Sequence, residues 1–444
     1  MVASPATSDP EAVRSVTSAP VDRKGARKAI LAAGTGNALE WYDFAVFAFL
    51  TPVLSQLFFP GEDRIAAILS TFAVFAVGFV MRPIGAILFG RIADKRGRKV
   101  ALIVSVTLMG VATLLIGIMP TYASVGLLAP ALLVVARMLQ GLSVGGEFGA
   151  SASFLVEYAP PHRRGFYGSL AYFSANAGSM LGGLVVLLFT LLLSAESMTG
   201  WGWRVPFLLS FPLLAIGMYL RARIAETPQF EAVKSTDEQV SSPLSTVLRE
   251  HWKAMLTIVG IAVAFAITSY TVLSFILSYL ITVIGFTPIQ ALTAVVLATA
   301  IGSCMTPVFG ALSDAFGRRP ILIFACLAGL ALPYPGFLLL QNGTFGSALL
   351  GMVILWIPVS SFCGVTPATF AEMFPTKVRV SGFGVAYGFG TALFSGTAPF
   401  VATLLVDVTG SSLAPAWYVM VAALVSLCVI LPLVRETRHD TWVG

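Results

Sequence analysis

About 20 consecutive apolar residues make the length of α-helix that crosses a ~30 Å hydrocarbon core. This chain repeats such runs from end to end. Twelve can be counted, near 29–57, 65–89, 100–119, 128–156, 166–193, 204–222, 254–282, 288–309, 320–340, 346–370, 380–406 and 414–434. No other feature restricts the fold as much. A segment buried in lipid has no water for its N–H and C=O groups and must satisfy them internally, which leaves helices and closed barrels. The runs are continuous and lack the apolar/polar alternation of a barrel strand. Charged residues make up only 11% of the chain, against about 25% in soluble proteins. The expected fold is an all-α polytopic membrane protein with twelve transmembrane helices.

Basic residues orient it. Arg91, Lys95, Arg96, Arg98 and Lys99 fall in one loop, and Arg163, Arg164, Arg318, Arg319, Lys377 and Arg379 fall in others on the same side. The opposite side receives little beyond Arg64 and Arg204. The positive-inside rule then puts both termini in the cytosol of a plasma-membrane protein. The net charge of +6 is thereby an orientation signal spread over short loops, and it excludes a nucleic-acid footprint. Residues 1–28 are polar and Pro/Ser-rich, expected to be disordered, and they lack the pattern of a secretory signal.

Several chemistries have no residues to carry them. Cys304, Cys326, Cys363 and Cys428 form no CxxC pair, and His162, His251 and His439 are scattered through loops and tail. Metal and disulfide roles are not expected. A Walker motif is missing from the sequence, and the apolar helical runs offer no strand-to-helix turn for a nucleophile elbow. The chain is not expected to be an enzyme or to need a cofactor. Its expected partners are a small molecule, protons and the bilayer, with no obligatory protein partner.

A charged loop occurs twice. "GRIADKRGRK" (90–99) and "GALSDAFGRR" (310–319) share Gly90/Gly310, Asp94/Asp314, Gly97/Gly317 and Arg98/Arg318 at one offset of 220. "EYAPPHRRG" (157–165) is echoed by "EMFPTKVRV" (372–380) in Glu157/Glu372, Pro160/Pro375 and Arg164/Arg379. Two echoes in the same order indicate two six-helix halves, 29–222 and 254–434, joined by a cytosolic linker 223–253 and followed by a tail 435–444. Parallel repeats place a substrate site between them at mid-membrane.

Charges inside the spans mark function by default, because burying a charge in lipid is costly. Glu40 and Asp43 share a face of span 1 near mid-depth, Arg137 lies near mid-depth in span 4, and Glu147 lies deeper. Asp43, Glu40 and Glu147 are the candidate proton-coupling carboxylates. Arg137 is the candidate for a substrate carboxylate, since a guanidinium can hold one bidentately. Polar stripes add Asn37 in span 1, Tyr172 and Asn176 in span 5, and Tyr270 and Ser274 in span 7. Each has a plainer role in gluing helices together.

The doubled G-x-x-x-D-x-x-G-R-[KR] loop resembles the signature of the major facilitator superfamily. "RMLQGLSVGGE" (137–147) is similar to its fourth-helix motif and adds Gln140 to the candidate substrate residues. "GNALEWYDF" (36–44), "GGEFGAS" (145–151), "WGWRVPF" (201–207) and "AEMFPTKVR" (371–379) resemble the metabolite:proton symporter branch, which includes proline/betaine, α-ketoglutarate, citrate and shikimate permeases. The resemblance implies proton-coupled uptake of a small carboxylate-bearing metabolite by alternating access. The short tail tilts the expectation toward an organic acid over an osmolyte. The alternative is a proton-coupled exporter, disfavoured because "NAGSMLGGLV" (176–185) lacks the proline that such antiporters carry in span 5. The doubled loop is expected to act as a cytosolic gate through Gly90, Asp94, Gly97, Arg98, Gly310, Asp314, Gly317 and Arg318. Its second copy is expected to be weaker, because Ala315 and Phe316 stand in place of Lys95 and Arg96.

Overall fold

The structure, a computed structural model, describes residues 23–96, 98–144, 147–222, 248–375 and 378–438. Helices stand at all twelve expected places. Span 1 is Arg23–Phe58; span 2 is Arg64–Val80 continued by Arg82–Arg96; span 3 is Arg98–Ile118; span 4 is Leu128–Val144 with Glu147–Glu157. Span 5 is Arg164–Leu192, and span 6 is Arg204–Leu208 followed by Ser210–Ala222. In the second half, span 7 is Trp252–Tyr270, a π turn at Thr271–Phe275, and Ile276–Thr282. Span 8 is Pro288–Phe316, span 9 is Arg318–Ala331 with Pro333–Gln341, and span 10 is Phe345–Glu372. Span 11 is Arg379–Phe394 with Ala398–Thr409, and span 12 is Ala414–Leu433. Among the described residues, 9 helical stretches are long and apolar enough to cross a membrane. Spans 3, 4 and 6 are not among these; a turn at Leu209 divides span 6, and residues 145–146 of span 4 lie outside the described residues. Most of the 223–253 linker lies outside the described residues.

Local chemistry sets the helix ends away from the basic face. Asp63 accepts from the backbone N–H groups of Ile65 and Ala66 to start span 2. Thr287 and Gln290 form a reciprocal capping box at the start of span 8, with Pro288 at the first helical position. The outward surface is Leu-, Val- and Ile-rich, with Leu127, Leu188, Val308, Leu350 and Val421 exposed as lipid contacts.

The two halves meet along their full depth. Spans 5 and 8 cross so closely at the basic end that a Cβ on Gly310 would lie 2.7 Å from the Gly165 carbonyl oxygen. Further along the same pair, a Cβ on Gly183 would meet Val296 at 2.9 Å. Span 11 reaches span 2 where Gly396 faces Ala76 and Phe79. Small residues make such backbone approaches possible without a hydrophobic drive between helices. Between these approaches lies the centre of the bundle.

Candidate functional site

At that centre lies Arg137, fully buried although charged. Its Nη1 donates to Gln140 Oε1 at 2.8 Å, Gln140 Nε2 donates to Thr113 Oγ1 at 2.7 Å, and Thr113 Oγ1 donates to Asp43 Oδ2 at 3.0 Å. Spans 4, 3 and 1 thus carry one hydrogen-bonded line from a cation to a carboxylate. The Nε and Nη2 atoms of Arg137, the edge that can grip a carboxylate with two parallel bonds, have no hydrogen-bond partner among the described residues.

Aromatic rings surround the guanidinium. Its carbon lies 4.2 Å from the Phe47 ring centre, 4.8 Å from Phe44 and 4.9 Å from Phe75. A second cation shares the wall: the Arg82 guanidinium carbon lies 3.9 Å from the Phe79 ring centre and 4.8 Å from that of Phe44. Tyr270 closes this box from the other half. Its ring is 5.1 Å from Phe79, 6.2 Å from Trp41 and 6.3 Å from Phe75, and its hydroxyl stands beside Arg82. Ring faces stabilise cations in such desolvated settings, by about 2 kcal/mol or more. Phe44 and Phe47 lie on one helical face, as do Phe75 and Phe79. That spacing, with Arg82 inside "FVMRPIG" (79–85), is the sequence signal that could have marked the box.

The other candidates are spread around it. Asn37 donates to Ser174 Oγ at 3.0 Å and to the Ala171 carbonyl, so its amide nitrogen ties spans 1 and 5 within one half. Tyr172 reaches the opposite half, donating to the Tyr387 hydroxyl at 3.2 Å, with Phe148 stacked 4.6 Å and 4.9 Å from the two rings. Asn176 is buried with its Nδ2 unpartnered among the described residues. Ser274 is buried inside the π turn that follows Tyr270, an irregularity the even spacing of Tyr270, Ser274 and Ser278 did not announce. On the same helix the Thr268, Thr271 and Ser278 hydroxyls make no hydrogen bond with any described residue. Glu40 is buried and borders, with Asp43, a cavity of about 40 Å³ between spans 1, 3 and 6. The Glu147 side chain lies outside the described residues.

The basic end carries a charge network. Asp314 accepts from the backbone N–H groups of Gly165 (2.7 Å) and Phe166 (2.8 Å), so an acid of the second half caps the start of span 5 in the first. Arg318, buried, pairs with Asp314 at 2.8 Å and with Glu372 through Nη2 at 3.1 Å. Gly310 supplies the close crossing with Gly165. Gly317 takes φ +107°, which suits glycine, and faces Glu436. Glu436 accepts from the Arg318 backbone N–H at 2.8 Å and Thr437 donates to Glu372 at 2.6 Å, drawing the residues after span 12 into the network. Arg379 pairs with Glu157 of the other half at 2.9 Å. The repeat pairs Arg164 with Arg379 and Glu372 with Glu157, and Arg164 lies in the field of Glu372. In the first copy of the loop, Gly97, the surroundings of Gly90 and the side chains of Asp94 and Arg98 lie outside the described residues, and so does the comparison of the two copies' strengths.

Comparison with known proteins accounts for this arrangement. The family model described as Major Facilitator Superfamily matches residues 33–386 and 259–443. The chain is 36% identical over 434 residues to the proline/betaine transporter of Salmonella typhimurium, spanning 96% of this chain and 86% of that one. It is 37% identical over 434 residues to the glycine betaine/proline/ectoine/pipecolic acid transporter OusA of Dickeya dadantii, with the same coverage of 96% and 86%. The xylose transporter XylE from E. coli, in a partially occluded inward-open conformation, matches with a TM-score of 0.75 at 19% identity, over 94% of this chain and 100% of that one. That likeness shows the fold. The chain belongs to the Major Facilitator Superfamily of multi-pass membrane transporters, in the branch that holds the proline/betaine transporters.

Proposed function

We propose that the protein is a proton-coupled symporter that takes up a zwitterionic osmolyte of the proline/betaine class across the plasma membrane, with both termini in the cytosol. The observation that carries this reading is the unpartnered Nε/Nη2 edge of the fully buried Arg137 within an aromatic box. A zwitterion has two ends to satisfy. The guanidinium edge suits its carboxylate. The ring faces of Trp41 and Tyr270 suit an alkylated ammonium, which cannot donate enough hydrogen bonds to be held in any other way. The names of the relatives support the same class. Asp43 is the proton carrier in this reading, Glu40 its neighbour, and the basic end is the cytosolic gate.

Arg82 favours a second reading. Two guanidiniums on one ring can hold two carboxylates, which suits an organic acid such as α-ketoglutarate. Uptake into proteoliposomes separates the two. Labelled glycine betaine, proline, ectoine, α-ketoglutarate, citrate and shikimate are offered with and without an inward proton gradient. Gradient-driven accumulation of the zwitterions, collapsed by an uncoupler, is expected. Accumulation of the di- and tricarboxylates alone replaces the first reading with the second.

A further inference from the structure

The line from Arg137 to Asp43 has a direction. Every link donates toward the carboxylate: guanidinium N–H to Gln140 oxygen, Gln140 N–H to Thr113 oxygen, Thr113 O–H to Asp43 Oδ2. Arg137 and Asp43 therefore communicate through two neutral side chains. Thr113 also has a choice. Its Oγ1 lies 3.0 Å from Asp43 Oδ2 and 3.0 Å from the Met109 carbonyl oxygen, and its single proton can serve only one of them.

We infer that Thr113 is a positioning residue whose hydroxyl switches between these two acceptors and so couples occupancy of Arg137 to protonation of Asp43. The inference rests on the symport reading above. With Asp43 ionised, Thr113 donates to Oδ2 and the chain runs unbroken from the guanidinium. With Asp43 protonated, the carboxyl O–H donates to Thr113 Oγ1, and the threonine proton turns to the Met109 carbonyl. Oγ1 still accepts from Gln140, so the Thr113 hydroxyl and the Gln140 amide keep their partners in both states, and stranding one of them would cost about 1–3 kcal/mol. A substrate carboxylate on the Nε/Nη2 edge neutralises the source of this polarisation. The donor line into Oδ2 weakens, and the protonated, substrate-loaded state is favoured.

The proton has its own approach. Asp43 Oδ1 accepts no hydrogen bond from any described residue, and the carboxylate borders the cavity between spans 1, 3 and 6. Its volume of about 40 Å³ exceeds what one water needs. The proton taken up comes from water there and returns to water after the halves have reoriented. The charged and titratable groups facing Asp43 are Arg137 on span 4, with Tyr42 and Glu40 on its own helix. Spans 3 and 6 line the cavity with apolar residues and Ser210 alone.

The test uses the full chain in proteoliposomes with Thr113→Val and Thr113→Ser. Glycine betaine and proline exchange is measured from pH 5 to 9, and gradient-driven accumulation is measured beside it. Thr113→Val is expected to lose at least ten-fold in accumulation while exchange persists, and to displace the pH midpoint of exchange by half a unit or more. Thr113→Ser keeps the hydroxyl and is expected to restore both. An unchanged profile and full accumulation in the valine variant overturn the inference, and so does equal loss in both variants, which is the behaviour of a packing residue. Should the valine variant fail to fold, Gln140→Leu breaks the preceding link and is read for the same displaced midpoint; no displacement overturns the inference. A wild-type chain that accumulates no zwitterion under a proton gradient removes the symport reading itself. A coupled wild type with an unaffected valine variant removes only the relay.

Discussion

Arg379 of the second half holds Glu157 of the first at 2.9 Å, and the two residues are not sequence counterparts. Their repeat counterparts also face each other across the seam, since Arg164 stands in the field of Glu372. Twofold repetition in the sequence thus sets one ion pair, Arg379 with Glu157, and one longer-range attraction, Glu372 on Arg164, across the seam at the basic end.

Breaking one of these should bias the two-state balance. Glu157→Gln removes this ion pair from the closed form, at a cost of about 1–2 kcal/mol, several-fold to thirty-fold in population. Cysteine labelling of central positions from the basic side, in a background without the four native cysteines, is expected to rise. Unchanged labelling would mean that Glu157 contributes nothing to closure.

Arg137→Lys tests recognition. The substitution keeps the charge but loses the planar Nε/Nη2 edge. An apparent KM raised ten-fold or more is expected, with membrane expression intact. A KM within two-fold of wild type would make Arg137 a scaffold residue.

Asp43→Asn tests coupling. The amide cannot take up and release a proton, so accumulation should vanish while counterflow exchange survives. In the wild type, acidifying the inside relative to the outside should lower accumulation. Full gradient-driven accumulation by the variant would remove Asp43 from the proton path.

Gly310→Leu tests the close crossing of spans 5 and 8. Even a Cβ there falls 2.7 Å from the Gly165 carbonyl oxygen, so the leucine variant cannot shut the basic end. It is expected to lose transport and to label strongly from that side while remaining folded. Wild-type transport by this variant would show that the backbones need not approach so closely.

Phe44→Leu tests the ring that Arg82 and Arg137 share. Burial of apolar area is nearly kept, but both cation–ring contacts are lost, each worth about 0.5–2 kcal/mol. Glycine betaine affinity is expected to fall at least five-fold, read by competition against labelled proline. An unchanged affinity would place the ring outside the recognition site.

What was legible in the sequence follows physical range. Helix positions were readable because lipid imposes a length on each apolar run. Gly310, Asp314 and Arg318 were readable because their motif is local and repeated. Arg137 and Asp43 stood out as charges in apolar surroundings. The aromatic box was not read, since Phe44, Phe47, Phe75 and Phe79 look like ordinary packing residues on their own helices; of its members only Tyr270 stood out, as part of a polar stripe. Thr113 was invisible for the same reason: a lone threonine in an apolar helix gains its role only from neighbours on spans 1 and 4. Asn37 showed the reverse, a polar residue whose amide nitrogen is used within its own half. The lean toward an organic acid came from the short tail, which carries no information about what Arg137 and its rings can hold.

The bare hydroxyls of span 7 bear on the energetics of the cycle. The Thr268, Thr271 and Ser278 hydroxyls are buried and make no hydrogen bond with any described residue, on the helix whose π turn meets span 1. Each such group costs about 1–3 kcal/mol when denied a partner. Once the halves part, solvent can hydrate them, and that gain offsets the apolar surface uncovered at the same moment. In the proposed cycle this keeps the shut and open forms near one another in free energy, so that a modest ion gradient is enough to drive turnover in one direction.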